Sequence, residues 1–209
     1  MKNYVVEFIG TFFLVLVVGL TVIEPGGAGA MAPLAIGTTL MVMVYAGGHI
    51  SGGHYNPAVT LAVWMRGKCD TKDVAPYMIS QILGGVVAAL VVKFYKPEAV
   101  VTAATPDVAR AVLNELLFTF ALCYVVLNTA TSKKNAGNSY YGLAIGFTVL
   151  VGAYAGGAVS GGAYNPAVAC GISTMGLSTW PNIWIFLVGN FAGAALAATV
   201  YKMANPSEF

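Results

Sequence analysis

Charged residues are scarce in this sequence. Only 9% of its 209 residues are Asp, Glu, Lys or Arg, whereas soluble domains carry about 25%. Because so few charges cannot cover a water-facing surface, a soluble globular domain is excluded. The formal net charge of +2 is small and gives no reason to expect a nucleic-acid partner.

Cysteine is also rare. The three cysteines lie far apart, at Cys69, Cys123 and Cys170, and they provide neither a disulfide framework nor a metal-binding cluster. The apolar stretches contain no set of nucleophile, base and orienting residue of the kind that acyl-transfer enzymes use. The sequence therefore predicts no enzyme, no cofactor and no metal site.

Apolar residues, in contrast, are abundant: 58% of the chain is hydrophobic and the mean hydropathy is +0.77. This composition predicts an integral, multi-pass membrane protein. Six spans of ~20 residues would use roughly 120 positions, which leaves room for short loops and two half-length helices but for no soluble domain. The first span contains Glu7 and is long enough to cross, so we expect a membrane helix rather than a cleavable signal. The predicted spans cover residues 5–23, 33–48, 74–92, 113–131, 141–157 and 180–201.

One glycine-rich motif occurs twice, as YAGGHISGGHYNPAVT at residues 45–60 and as YAGGAVSGGAYNPAVA at residues 154–169. Asn56 and Asn165 are favourable N-cap residues, and the following Pro57 and Pro166 suit the first turn of a helix. Each copy therefore predicts a short helix, over residues 57–65 and 166–175. A helix of the first length rises about 13 Å, which reaches only to the middle of a bilayer.

The repetition extends beyond the paired motif. Glu7, Thr11 and Phe12 of the first half recur at the same spacing as Glu115, Thr119 and Phe120. The chain is therefore expected to be one membrane domain, residues 1–209, built from repeats at about 1–96 and 110–204. Each repeat crosses three times, so the two halves must have opposite orientations. Inverted repeats with broken helices place their site near the midplane.

Basic residues predict the orientation of the chain. Seven of the ten fall on one side under this topology, and the positive-inside rule makes that side cytoplasmic, with both termini there. We expect a plasma or inner membrane. The seven are Lys2, Arg66, Lys68, Lys72, Lys133, Lys134 and Lys202.

The two half-helices are expected to enter from opposite faces and meet tip to tip. Each N-terminus carries roughly half a positive elementary charge, and we expect the amides of Asn56 and Asn165 to be free to donate there. We also expect residues 47–55 and 156–164 to be non-helical and to line a cavity, because irregular backbone cannot face lipid. Such a path passes neutral hydrogen-bonding molecules and repels cations.

The doubled Asn-Pro-Ala motif, the Glu7/Glu115 pair and the six-span inverted repeat resemble the aquaporin (major intrinsic protein) family over nearly the whole chain, with an aquaglyceroporin-like character. The resemblance implies a homotetramer of independently conducting pores, in contact with membrane lipid, for small neutral solutes. It also implies that Glu7 and Glu115 are structural and accept hydrogen bonds from the glycine-rich loops. The pore centre it implies comprises Asn56, Asn165, Pro57, Pro166, Ala58 and Ala167.

The outer constriction departs from the family pattern. Water-selective members place Arg three residues after the second Asn, where this chain has Val168. By motif spacing the other constriction positions are Ile36, Ala153 and Gly162, in place of an aromatic residue, His and a small residue. We therefore expect a wider, apolar constriction that admits glycerol, urea, ammonia or hydrogen peroxide as well as water. Further pore-lining residues are expected at His54, Gly52, Gly53 and Gly161.

Two other functions remain open at this point. A coupled secondary transporter also uses inverted repeats and broken helices, and it would require Glu7 and Glu115 to titrate during transport. A structural membrane protein would conduct little. The first alternative predicts solute flux that depends on an ion gradient, and the second predicts no flux above that of protein-free liposomes.

Overall fold

The computed structural model describes residues 1–208, and within them every regular element is helical. Six helices are long and apolar enough to cross a membrane, which confirms the predicted fold class. The long helices are α1 (Lys2–Val22), α2 (Ala32–Ser51), α4 (Thr71–Tyr95), α5 (Val108–Val126), α6 (Tyr141–Ser160) and α8 (Ile183–Ala204). The short helices are α3 (Pro57–Met65) and α7 (Pro166–Met175).

The bounds of α3 and α7 are those predicted, but α2 and α6 are longer than expected. We expected residues 47–55 and 156–164 to be non-helical, and this was wrong for their first parts, since α2 continues to Ser51 and α6 to Ser160. Each helix ends where a glycine adopts a left-handed conformation, with φ of 92° at Gly52 and 95° at Gly161. Such a glycine is a common helix terminator, so only four residues precede each Asn as irregular backbone.

The two halves of the chain are built alike. In the first half α1 packs on α2 and α4, and in the second α5 packs on α6 and α8, while α2 and α6 pack against each other between the halves. Glycines allow close helix approach: a Cβ at Gly84 would lie 2.6 Å from the Phe8 carbonyl oxygen, and one at Gly193 would lie 2.5 Å from that of Leu116. Small residues at helix crossings are the usual basis of packing in membranes, where lipid is as apolar as the side chains.

The half-helices α3 and α7 occupy the centre of the bundle. Helix α3 packs on α8 and α4, and α7 packs on α4 and α1, and the two also contact each other. We call the end of the bundle where α1 begins the N-terminal face. The α3–α4 connection and the α5–α6 connection also lie at that face. The long α4–α5 connection lies at the opposite end, which we call the outer face.

Candidate functional site: a cavity at the tips of the two half-helices

The N-terminal ends of α3 and α7 are capped by Asn56 and Asn165. The Asn56 side-chain oxygen accepts a hydrogen bond from the Ala58 N–H at 2.8 Å, and that of Asn165 accepts one from the Ala167 N–H at 2.9 Å. Both asparagines are therefore N-caps, as their position before proline predicts. Both are also buried.

The asparagine amides additionally bond across to the opposite loop. Asn56 Nδ2 donates to the Tyr164 carbonyl oxygen at 2.9 Å, and Asn165 Nδ2 donates to that of Tyr55 at the same distance. We expected these amides to be free to donate into a channel. Instead, one N–H of each is committed to joining the two loops, and one N–H of each remains.

Tyr55 and Tyr164 were missed by sequence reasoning. Their φ angles are 49° and 48°, a left-handed conformation that side chains other than glycine rarely adopt. This conformation turns each carbonyl group toward the opposite asparagine. The ring hydroxyls anchor the two residues to the neighbouring long helices, because they donate to the Met43 carbonyl at 2.9 Å and the Gly152 carbonyl at 2.8 Å. The only available signal was the occurrence of Tyr before Asn in both repeats.

The carboxylate of Glu7 holds the first loop. It accepts hydrogen bonds from the backbone N–H groups of His54 at 3.0 Å and Tyr55 at 2.6 Å. The Ser51 hydroxyl at 2.7 Å and the Gln81 amide at 2.8 Å complete the set. Glu7 is fully buried, so all of its hydrogen bonding comes from these four donors.

Glu115 holds the second loop in the same way. Its donors are the backbone N–H groups of Ala163 at 3.0 Å and Tyr164 at 2.7 Å, together with the Ser160 hydroxyl at 2.6 Å and the Asn190 amide at 2.7 Å. A buried carboxylate is tolerated when its lone pairs are satisfied in this manner. Each glutamate thus replaces the hydrogen bonds that an irregular loop would otherwise lose at membrane depth.

A cavity of about 340 Å³ extends from these tips to the outer face. All four positions expected at the constriction line it, namely Ile36, Ala153, Gly162 and Val168. Asn56, Asn165, His54, Gly53 and Gly161 also line it. The structure therefore brings together residues that are distant in the sequence.

Most of the wall of this cavity is aliphatic. Leu14 and Val18 of α1, with their counterparts Leu122 and Val126 of α5, face the cavity, and sequence reasoning did not single them out. Nothing distinguishes them in the sequence from the many other aliphatic residues of a membrane span. A wall of this kind offers no hydrogen bond to a molecule in the cavity, which leaves the asparagine amides and the loop backbone as the polar edge.

A second cavity of about 470 Å³ opens at the N-terminal face. Gly52 lines it, and His54 lines both cavities. The His54 Nδ1 atom lies 3.1 Å from the Thr60 hydroxyl, and its ring lies 5.1 Å from the ring of Tyr77. His54 thus lies between the two cavities. Within residues 1–208, no cluster of three or more His, Cys, Asp or Glu side chains could hold a metal ion.

Four of the expected pore-centre residues lie behind the cavity surface. Pro57, Ala58, Pro166 and Ala167 are buried in the first turns of α3 and α7, and the two alanines contribute the N–H groups that the asparagines cap. Ala167 also lies under Gly85, where a Cβ would be 2.6 Å from its carbonyl oxygen. The missing side chain of Gly85 allows α7 to pack closely against α4.

The family profile described as Major intrinsic protein matches residues 1–201. The chain is 37% identical to Aquaporin TIP1-2 of Zea mays, over 97% of this chain and 85% of that protein. It is 35% identical to Glycerol uptake facilitator protein-like 6 of Lactiplantibacillus plantarum, over 95% of each.

Among solved structures, the aquaglyceroporin from Plasmodium falciparum has the same fold. The two superpose with a TM-score of 0.80 over 99% of this chain and 98% of that chain, at 22% sequence identity. At that level of identity the match concerns the arrangement of helices alone.

Proposed function

Because the chain belongs to the major intrinsic protein family, we propose that it is a passive membrane channel that conducts water and small uncharged solutes past its two Asn-Pro-Ala motifs. Members of this family are channels rather than enzymes. The relatives include a protein named an aquaporin and one named a glycerol uptake facilitator, which supports both water and polyols as permeants.

The observation that carries the proposal is the pair of crossed hydrogen bonds at the half-helix tips. Asn56 and Asn165 each bond to the loop of the other repeat at 2.9 Å, beside a cavity that reaches the outer face. Two helix N-termini converge there, and their partial positive charges disfavour cations. The remaining amide N–H groups suit neutral molecules that can accept a hydrogen bond.

The apolar constriction supports permeants larger than water. Ile36, Ala153, Gly162 and Val168 contribute no side-chain donor to the cavity that they line. We propose that this opening admits glycerol, urea, ammonia or hydrogen peroxide. Without an arginine there, exclusion of cations rests mainly on the two helix tips.

The environment of the two glutamates argues against a coupled transporter. Each carboxylate already accepts hydrogen bonds from two backbone N–H groups and two side chains, at 2.6 to 3.0 Å. Protonation would turn an acceptor into a donor facing other donors. A group in this position is suited to holding a loop rather than to carrying a proton in each cycle.

We further propose a homotetramer in a plasma or inner membrane, with both termini in the cytoplasm and the chain forming one domain of repeats at about 1–96 and 110–204. The tetramer rests on the family. The orientation rests on the basic residues at the N-terminal face, such as Lys68 and Lys133, under the positive-inside rule.

The proposal is tested by stopped-flow light scattering on proteoliposomes exposed to gradients of water, glycerol, urea and ammonia in parallel. We expect flux above that of protein-free liposomes, without dependence on a proton or sodium gradient. Flux that requires such a gradient would instead favour coupled transport, and no flux at all would favour a structural role.

The constriction is tested by Val168→Arg. A guanidinium adds bulk and five donors to a site that has neither, so we expect glycerol and urea flux to fall at least about ten-fold, which corresponds to 1.4 kcal/mol, with water flux reduced less. Val168→Met is the matched control, since it adds length without charge. Unchanged glycerol and urea flux in Val168→Arg would mean that Val168 does not border the conducting path.

A further inference from the structure

Helix α5 does not end as a regular α-helix. Beyond Val126 the chain continues as a single π-helical turn, Leu127–Thr131. The counterpart of Val126 in the first repeat is Val18, and α1 continues beyond it as ordinary α-helix to Val22. Because π-turns are rare and occur frequently at functional sites, this difference between the two halves calls for a physical account.

The spacing between the repeats changes by one residue at this turn. Glu7 and Glu115 lie 108 positions apart, whereas Ile36 and Ile145 lie 109 positions apart. The connections that follow the two helices have the same length, residues 23–31 and 132–140. The extra residue of the second half therefore lies in the π-turn, whose N–H groups bond to the fifth rather than the fourth preceding carbonyl.

The π-turn forms part of the wall of the second cavity. Ala130 and Thr131 line this cavity, and Val126, just before the turn, lines both cavities. We call the opening of the second cavity at the N-terminal face, which Ala130 and Thr131 border, the inner mouth. A change in the winding of the turn would therefore move residues of the inner mouth.

Side chains of the α5–α6 connection hold the turn in its present conformation. Asn135 Nδ2 donates to the Asn128 carbonyl oxygen at 2.9 Å, and Asn138 Nδ2 donates to the Thr129 carbonyl oxygen at 2.8 Å. Carbonyl groups at the end of a helix lack intrahelical donors, so these amides replace bonds that the helix cannot supply. The winding of the turn thus depends on where the connection lies.

The connection is in turn held by the segment after α8, through Glu208. The Glu208 carboxylate accepts hydrogen bonds from the Ser132 hydroxyl at 2.8 Å and the Lys133 N–H at 3.1 Å. Arg66, at the end of α3, donates from Nη2 to the same carboxylate and from Nη1 to the Glu208 backbone carbonyl, at 2.8 Å each. One residue therefore joins the chain just after the π-turn to a half-helix that borders the same cavity through Val63.

This ion pair is buried, which suits it to fixing a position more than to adding stability. Both side chains are 3% exposed, and the cost of removing two charges from water offsets much of their attraction. Separating the two would leave an uncompensated buried charge, which is strongly unfavourable. At the position equivalent to Arg66, helix α7 has Met175, so the ionic link belongs to the inner mouth and not to the repeat.

We propose that residues 206–208 form a strap that keeps the inner mouth open by holding the π-turn in place. When Glu208 is released, the connection no longer holds the turn, and the turn can rewind to the α-helical geometry that α1 has at the same place. Rewinding by one residue rotates the chain that follows by about 100° around the helix axis and closes the mouth that Ala130 and Thr131 now border. The effect on conduction rests on the proposed channel function, whereas the effect on the shape of the mouth does not.

The test uses Cys69, which lines the second cavity and is partly exposed, as a reporter of the inner mouth. In a Cys170→Ser background the other cysteine, Cys123, is buried, so alkylation of detergent-solubilised protein by a maleimide reports on Cys69. Glu208→Gln removes the charge of the strap, and Ser132→Ala removes its partner in the connection. For each variant we expect the alkylation rate to fall at least about three-fold, because the loss of a hydrogen bond to a charged group shifts a two-state equilibrium by more than this factor.

Water and glycerol fluxes into proteoliposomes are measured for the same variants, below their unfolding temperatures. We expect glycerol flux to fall at least about three-fold and to fall more than water flux, because glycerol is the larger molecule. Lys72→Gln is the matched control, since it breaks an exposed ion pair with Asp70 at the same face. Its alkylation rate and its fluxes should remain those of wild type.

Wild-type alkylation rates in Glu208→Gln and Ser132→Ala would overturn the strap, even if both variants unfold at lower temperatures, because a purely structural link lowers stability without changing the mouth. A loss of the same size in Lys72→Gln would also overturn it. Slower alkylation combined with wild-type glycerol flux would refute the role of the strap in conduction. A wild-type protein that conducts neither water nor glycerol would overturn the channel function, while the alkylation rates would still decide whether the strap holds the mouth.

Discussion

At the scale of single residues, the site depends on hydrogen bonds that hold an irregular backbone in place inside a membrane. Glu7 and Glu115 each accept hydrogen bonds from two loop N–H groups. Asn56 and Asn165 cap their own helices and bind the opposite loop. The two halves therefore stabilise each other at the point where the helices break.

We expect Glu7→Gln to destabilise the fold by at least about 3 kcal/mol, because hydrogen bonds to charged groups contribute about 1.5–3 kcal/mol each and a Gln amide would face donors with a donor. Thermal unfolding in detergent would measure the loss. Glu98→Gln, at an exposed loop position, is the control and should have little effect. A Glu7→Gln protein of wild-type stability whose uptake no longer responds to an ion gradient would support coupling instead.

At the scale of elements, the helices pair through glycines that leave no space for a side chain. The α1–α4 and α5–α8 contacts are equivalent in the two halves, with Gly84 against Phe8 and Gly193 against Leu116. In each case the neighbour is a backbone oxygen, which cannot move without moving its whole helix.

We expect Gly84→Ala and Gly193→Ala to destabilise the protein by about 1–3 kcal/mol, the usual cost of overpacking. Gly48→Ala is the matched control, because a Cβ there would lie 3.5 Å from the nearest atom, in the ring of Tyr141. It should be neutral or slightly stabilising, since alanine favours a helix by about 1 kcal/mol over glycine. Equal unfolding temperatures for all three variants would contradict this view of the helix contacts.

A second link between elements lies at the N-terminal face, where Glu208 joins three segments. Its carboxylate pairs with Arg66, at the end of α3, at 2.8 Å, and it accepts hydrogen bonds from the Ser132 hydroxyl at 2.8 Å and the Lys133 N–H at 3.1 Å. The Arg66 guanidinium also lies 5.2 Å from the centre of the Tyr201 ring. The end of α3 is thus connected to the α5–α6 loop.

The Lys133 backbone N–H, followed by the Ser132 hydroxyl and with a smaller effect of Arg66, lowers the pKa of Glu208 below its ordinary value. A depressed carboxyl pKa contributes stability that is present above the unfolded-state pKa, about 4.3, and is lost as the pH falls through the lower folded value. We therefore expect Glu208→Gln to lower the unfolding temperature at pH 7, and we expect its difference from wild type to shrink as the pH falls below about 4.3. Glu98→Gln should retain the wild-type pH profile, and a constant difference between Glu208→Gln and wild type across this range would contradict the prediction.

At the scale of the whole molecule, the arrangement of polarity is the reverse of that in a soluble protein. Large apolar side chains such as Leu83, Leu113 and Val188 are exposed on the outside, while Glu7, Glu115 and the asparagines are buried. Lipid can cover the apolar exterior. Within the membrane, a solute can therefore meet polar groups of the chain in the interior but not on the lipid-facing surface.

The proposed orientation predicts the location of the chain ends. A green fluorescent protein fused after the last residue should fluoresce, and an alkaline phosphatase fused there should be inactive, because the positive-inside rule places this end in the cytoplasm. The same enzyme inserted after Thr105, in the α4–α5 loop, is the control and should be active. The opposite pattern at both positions would reverse the proposed orientation.

The sequence by itself determined the six spans, the two half-helices and the capping role of Asn56 and Asn165. These follow from local rules: the length of apolar runs, and the preference of Asn and Pro for the start of a helix. The repeat also indicated which residues correspond between the halves. Local rules did not determine where α2 and α6 end. The glycine pair in each helix, Gly47 and Gly48 in α2 and Gly156 and Gly157 in α6, could either continue the helix or break it.

Only the tertiary structure decided what the site residues contact. Three contacts join positions that are 108, 110 and 142 residues apart: the Asn56–Tyr164 bond, the Asn165–Tyr55 bond and the Glu208–Arg66 pair. Such contacts depend on how whole helices pack, so they cannot be inferred from a residue's neighbours in the sequence. The local chemistry of the chain therefore predicts the elements, and the packing of those elements decides which groups meet at the cavity.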